Sequence, residues 1–307
     1  MRAREPDASG FVERGAVQVW WERFGDGDPA ILFFGGDTIV DSRMWKAQVP
    51  WLAQRHTVVT FDPPGNGRST RTTDPAAFAD DELVGFALAT LEAAGVESVV
   101  AAGVCSGAGL SLLLAAEHPD RVAGVVAINP GLMLTPRHPH RMPNGFDTVL
   151  ETDEGWAKEN RHYWQRDWRG YAEFFFGEML PEPHSTKQHE DAVAWACGTT
   201  VDVMLADMAC AEPTPRAEAG TAAELCRRVR CPVLVINGDH DRCQPPERSA
   251  LVAELTSAEL VVLEGAGHLP HARDPVRVNL EIDRFLRRVR VRGRRGGGSP
   301  REHRRTA

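Results

Sequence analysis

A chain of 307 residues, 42% of them apolar, can bury a full core, either as one large α/β domain with an insertion or as two modest domains. Its net charge of −8 leaves no basic face to neutralise phosphates, which argues against a nucleic-acid binder. The cysteines at 105, 197, 210, 226, 231 and 243 form no C-x-x-C pair and no regular spacing, so neither a metal site nor a disulfide framework is expected.

The opening Met1-Arg-Ala-Arg-Glu-Pro-Asp7 leads into no apolar signal region. No stretch reaches the roughly 18 uncharged apolar residues of a membrane span. A cytoplasmic location without membrane contact is the expectation, and a reducing compartment suits a free catalytic thiol. High Ala, Gly and Arg usage hints at a GC-rich bacterial source.

Residues 16–24 (AVQVWWERF) alternate as an edge strand would, and Gly25 to Asp28 form a turn. Ala30 to Phe34 is a continuous apolar run of the kind a buried parallel strand needs, ending at Gly35-Gly36. Met44 to Leu52 reads as a short helix in which Pro50 forces a kink or a new start. His56 to Phe61 is a strand, closed by the turn Asp62-Pro-Pro-Gly-Asn-Gly-Arg-Ser69. Phe78 to Ala94 carries apolar residues at helical spacing, with Gly95 as its C-cap. After Val99 to Val104 comes a second helical run, and then Val122 to Ile128 as the next strand. This β-α-β-α-β order implies an α/β fold: a mostly parallel central sheet with helices on both faces.

From residue 132 to 225 the chain is rich in aromatic residues and has no strand-like run. A helical cap insertion is expected there, between core segments 1–131 and 226–290. The strand pattern resumes at Pro232 to Asn237, followed by a helix over Glu247 to Leu255 and a last strand over Leu260 to Leu263. A final helix spans Pro275 to Val289, with Val276, Leu280, Ile282 and Phe285 facing inward. Residues 291–307 read as a disordered basic tail.

The chemistry centres on Val99-Val-Ala-Ala-Gly-Val-Cys-Ser-Gly-Ala-Gly-Leu110. Glycines two before and two after a reactive side chain permit a strained strand–turn–helix junction. Gly103 and Gly107 put Cys105 at the apex, whereas a Ser106 apex would place branched Val104 at a position that needs a small residue. A cysteine nucleophile needs a base and a group to orient that base. His268, on the loop Gly265-Ala-Gly-His268, is the base candidate, and Asp241, in Gly238-Asp-His-Asp241, is the orienting acid. All three lie just past strand ends, where open α/β sheets form their crevices. Rival readings make Cys105 an inert buried thiol with Ser106 as the working group, His271 the base, or Asp239 the acid.

With the Gly103-x-Cys105-x-Gly107 elbow, the Asp62–Ser69 turn, Gly238-x-x-Asp241 and Gly265-x-Gly-His268 in order, the chain resembles the α/β-hydrolase-fold superfamily over roughly residues 16 to 288. Cysteine stands at the elbow in place of the usual serine. The resemblance implies an oxyanion hole built from the backbone N–H groups of Ser106 and Gly36. Phe34-Gly35 replaces the His-Gly usual there, which leaves Asp37 as an alternative donor to Gly36.

Beside neutral imidazole a thiol can become a thiolate–imidazolium pair and attack carbonyls to give a thioester. The implied enzyme is a hydrolase acting through a Cys105 acyl-enzyme. Its expected substrate is a small or medium apolar ester, thioester or lactone, free or linked to a carrier or coenzyme A. The alternative passes the acyl group to an amine, alcohol or carbon nucleophile, as an acyltransferase or cyclase does. A third reading is a non-catalytic ligand-binding protein on the same fold. Phe34, Trp164, Trp168 and Phe175 are the expected pocket residues, and no cofactor or metal is implied. His138 and His140 are read as a solvated loop and the Asp62–Ser69 turn as structural.

Overall fold

The computed structural model describes residues 4–138, 141, 145–210 and 219–296. Eight strands form one sheet: β1 (Ala8–Arg14), β2 (Val17–Phe24), β3 (Ala30–Phe34), β4 (Val58–Phe61), β5 (Val99–Val104), β6 (Val122–Ile128), β7 (Val233–Gly238) and β8 (Glu259–Leu263). Their spatial order is β1-β2-β4-β3-β5-β6-β7-β8. β2 pairs antiparallel with β1 and β4, and every pair from β4 to β8 is parallel. The strand expected at the edge, residues 16–24, is therefore second in the sheet, covered by β1. ASGFVER escapes a sequence reading because Val12 is its only buried residue.

The helices are α1 (Val49–Leu52), α2 (Asp80–Ala93), α3 (Ser106–Glu117), α4 (Arg161–Arg166), α5 (Trp168–Met179), α6 (Thr186–Ala196), α7 (Val201–Met208), α8 (Ala219–Arg228), α9 (Pro246–Thr256), α10 (Pro270–Arg273) and α11 (Pro275–Gly296). The helix expected over Met44 to Leu52 divides into a 3-10 turn, Ser42–Trp45, and α1, whose first turn accepts Pro50 because no N–H is needed there. Successive side chains of a strand point to opposite faces. Hence Ile31 and Phe33 of β3 enter one core with Val100, Ala102 and Val104 of β5, while Leu32 and Phe34 enter the other with Val99 and Ala101. The first core is closed by α11 and by aromatic residues of α4 and α5, and the second by α2, α3 and α8.

Between β6 and β7 the described residues contain helices and no strand. α8 crosses residue 225 and packs through Ala222, Leu225 and Cys226 with α3 and α9. In α11 the buried stripe is Val278, Ile282, Phe285, Leu286 and Val289, whereas Val276 and Leu280 are exposed. That corrects their expected inward orientation: with Ile282 and Phe285 inward, residues 278, 286 and 289 complete the helical face and 276 and 280 fall off it. α11 continues to Gly296; His140 and residues 297–307 lie outside the described residues. No helix among the described residues is long and apolar enough to cross a membrane.

Candidate active site

β5 runs into α3 through Cys105, held at φ 55° and ψ −123°, a conformation that side chains rarely adopt. The flanking glycines make it possible. A Cβ on Gly103 would sit 2.3 Å from the Gly107 backbone, and one on Gly107 would sit 1.9 Å from the Gly35 carbonyl oxygen. Gly103→Ala is expected to destabilise the fold by about 1–3 kcal/mol or more, since backbone rather than a flexible side chain must yield. A urea-unfolding midpoint equal to that of the unmodified chain would show that the junction relaxes freely.

The junction is braced from β6. The Gly131 N–H donates to the Cys105 carbonyl at 2.7 Å, and a Cβ on Gly131 would lie 2.8 Å from Ser106 N. Asn129, also in left-handed backbone at φ 43°, joins the two remaining loops. Its Nδ2 donates to the carbonyls of Gly267 (3.2 Å) and His268 (2.9 Å), and its Oδ1 accepts from Gly238 N (2.9 Å). Neither Gly131 nor Asn129 stands out in the sequence, and the only available signal is their position just after a buried strand.

These braces bring Cys105, His268 and Asp241 together. Asp241 Oδ2 accepts from His268 Nδ1 at 2.8 Å with both side chains buried. Asp241 Oδ1 accepts the backbone N–H groups of Cys243 (2.6 Å) and Gln244 (3.0 Å). The His268 loop is docked on α5, its backbone N–H donating to the Met179 carbonyl at 3.0 Å. Asp239 instead accepts from Gly265 N at 2.7 Å and braces the loop. His271 is buried against the Trp45 ring at 4.6 Å, and burial pushes its imidazole down to about 3, so it stays neutral. The Ser106 hydroxyl donates to the Gly36 carbonyl.

Cys105 opens on a cavity of about 240 Å³ lined by Gly36, Asp37, Met44, Arg137, Arg141, Glu159, Trp164, Tyr171, Phe175, Phe176, Cys243 and His268, among others. Trp164 and Phe175 are among these lining residues. Phe34 is not: odd and even positions of β3 face opposite layers, so it lies in the other core and lines a separate small cavity with Ser106 and Phe61. Trp168 stands one layer back, its Nε1 donating to the Ala196 carbonyl at 3.0 Å while its ring meets Trp164 and Tyr171.

Several site residues are not found by sequence reasoning. The sulfurs of Cys105 and Cys243 and a ring nitrogen of His268 lie within 4.8 Å of one another. Gln244 Nε2 donates to Cys105 Sγ at 3.3 Å, and its Oε1 accepts from Arg248 Nη1. Arg141 Nη1 donates to Cys243 Sγ at 3.4 Å, and Arg141 also pairs with Glu159.

The neighbouring Cys243 thiol and burial together raise the Cys105 thiol well above its ordinary value, against the pull of His268. Burial pulls the His268 imidazole down, but the Asp241 carboxylate and the Cys105 sulfur outweigh it and hold the ring above its ordinary value. A resting thiolate is therefore less favoured than the cysteine–histidine pairing alone suggests, because a second sulfur shares the site. Replacing Cys243 removes the largest of these influences. Alkylation of Cys105 by iodoacetamide, followed by peptide mass spectrometry, should rise at lower pH in Cys243→Ala than in the unmodified chain. Coincident profiles would mean that burial alone sets the thiol.

Comparison with known proteins agrees with this architecture. The profile of the alpha/beta hydrolase fold matches residues 29–275. The dihydrolipoyllysine-residue acetyltransferase component of the acetoin cleaving system of Cupriavidus necator is 31% identical over 134 residues, 42% of this chain and 34% of that protein. The putative carbamate hydrolase RutD of Azorhizobium caulinodans is 31% identical over 119 residues, 39% of this chain and 43% of its own. The chain thus spans less than half the length of these curated relatives. The solved structure of Est816, described as an N-acyl homoserine lactone degrading enzyme, superposes with a TM-score of 0.71 at 21% identity, covering 90% of this chain and 100% of that one. Residues 29–275, with their parallel sheet and the turn at Cys105, place this chain in the alpha/beta hydrolase fold family.

Proposed function

We propose that this chain is a hydrolase that forms an acyl-enzyme on Cys105, acting on a small or medium apolar ester, thioester or lactone. The observation that carries this reading is the convergence of three groups. A thiol at a strained turn, φ 55°, stands beside a buried His268 whose other face is held at 2.8 Å by a buried carboxylate. In this scheme the His268 Nε2 takes the thiol proton as Cys105 Sγ attacks the acyl carbon, because Nδ1 is already committed to Asp241. Asp241 fixes the tautomer and balances the imidazolium. The backbone N–H groups of Ser106 and Gly36 hold the developing oxyanion. The imidazolium returns its proton to the leaving group, and water activated by the same ring then cleaves the thioester.

The cavity supports an acyl group of modest size, since Met44, Trp164, Tyr171, Phe175 and Phe176 form much of its wall. The name of Est816 is consistent with lactone substrates for this architecture. The test is brief exposure to p-nitrophenyl and thioester acyl donors followed by peptide mass spectrometry. A thioester on the peptide carrying Cys105, cleaved by water on standing, is expected. Modification at Ser106, or turnover without any Cys105 adduct, would overturn the proposal.

A further inference from the structure

Cys243 has no part in the acyl scheme, yet its sulfur lies with that of Cys105 and a His268 ring nitrogen within 4.8 Å. A second buried thiol beside a nucleophile calls for another explanation. We propose that Cys105, Cys243 and His268 also form a zinc site, so that bound Zn²⁺ caps the nucleophile and holds the enzyme reversibly inactive.

The donor set suits this ion. Two thiolates and one imidazole are ligands that borderline-soft Zn²⁺ takes, while Mg²⁺ and Ca²⁺ prefer oxygen. Zinc–sulfur bonds of about 2.3 Å and zinc–nitrogen bonds of about 2.0–2.1 Å set tetrahedral ligand atoms roughly 3.5–3.8 Å apart. The three atoms here already lie within 4.8 Å of one another, so small side-chain rotations bring them to that spacing.

The surroundings are also those of a metal site. Zinc-bound histidines commonly give their second nitrogen to a carboxylate, which fixes the ring and strengthens the ligand. His268 does this through Nδ1 to Asp241 at 2.8 Å, leaving Nε2 for the metal. The same carboxylate accepts Cys243 N at 2.6 Å, so one residue positions two ligands. N–H donors reach both sulfurs: Gln244 Nε2 lies 3.3 Å from Cys105 Sγ, and Arg141 Nη1 lies 3.4 Å from Cys243 Sγ. Such donors can hydrogen-bond metal-bound sulfurs from the outer shell. On binding, two thiol protons, and the Nε2 proton where His268 is imidazolium, leave to solvent as two zinc–sulfur bonds and one zinc–nitrogen bond form, and the charges of the ion and the thiolates cancel. No oxidant or reductant is required. All three residues line the cavity, which leaves room for water as a fourth ligand.

The experiment uses the full chain, reduced and stripped of metal, titrated with Co²⁺ alone and then with Zn²⁺. One cobalt per chain with strong near-ultraviolet thiolate charge-transfer absorption, bleached by Zn²⁺, is expected. Cys105→Ser and Cys243→Ser should each remove about half of that absorption and weaken zinc binding at least 100-fold, beyond the 10–100-fold typical of an outer-shell partner. Cys197→Ser, which removes an exposed thiol, should leave both unchanged. Circular dichroism establishes that each variant is folded. Zn²⁺ should also block iodoacetamide at Cys105 until a chelator is added. An absent thiolate band, or a band equally strong in the folded Cys105→Ser and Cys243→Ser chains, overturns the proposal. None of these readouts requires an acyl substrate, so the zinc site and the acyl chemistry stand or fall separately.

Discussion

Cys105→Ala should lower turnover of an activated ester by about 10⁴-fold or more, the scale on which loss of a catalytic nucleophile is felt. The magnitude follows from the position of the sulfur. Cys105 is at the turn between β5 and α3, and its Sγ is within 4.8 Å of a His268 nitrogen. The adjacent hydroxyl is engaged elsewhere, since Ser106 donates to the Gly36 carbonyl. Ser106 is therefore not poised to take over. The substitution removes one sulfur and leaves the glycine-lined turn intact, so thermal unfolding should move little, by about 1 kcal/mol. Steady-state rates on a p-nitrophenyl ester and a melting curve on the same sample separate the two effects. Activity within tenfold of the unmodified chain would assign the chemistry to another group.

Asp241→Asn should cost about 10⁴-fold in kcat, comparable to the loss seen when the orienting acid of a catalytic triad is changed to its amide. An asparagine keeps the volume and can still accept the Cys243 and Gln244 N–H groups through its carbonyl oxygen. Its amide nitrogen would then face His268 Nδ1, where only an acceptor suits the productive tautomer. The imidazolium formed during attack would also lose its buried counter-charge. Asp239→Asn is the informative partner, because Asp239 accepts only a loop N–H, from Gly265, among the described contacts. It should change kcat by no more than a few-fold, because the asparagine carbonyl oxygen can still accept the Gly265 N–H. Equal losses in the two variants would remove Asp241 from the proposed mechanism.

The core of the fold is legible in the sequence wherever burial is two-sided. AILFF, VVAAGV and VAGVVAI are continuous apolar runs because both faces of β3, β5 and β6 are covered. β1 is not legible, since an edge strand with a single buried residue carries almost no pattern. Val276 and Leu280 mislead for a related reason: an apolar residue near a helical stripe is not thereby on it, and only packing against the sheet sets the rotation of α11. Phe34 shows the same limit within a strand, where alternation gives two faces without saying which one the cavity takes.

The sequence alone determines the turn and its apex. Two glycines flanking Cys105 leave space that a Cβ would occupy, and local sterics of this kind need no distant partner. It likewise determines that His268 and Asp241 follow strands and sit on loops at one end of the sheet. Only the tertiary structure decides what surrounds the sulfur. Cys243 and Gln244 follow Asp241 on one loop, Asn129 directly follows β6 and Arg141 lies farther along the chain, and strand order together with loop docking brings them within hydrogen-bond reach of the site. That convergence sets the protonation of Cys105 and places a second thiol beside it, because proton affinity and metal-ligand geometry depend on neighbours in space rather than along the chain.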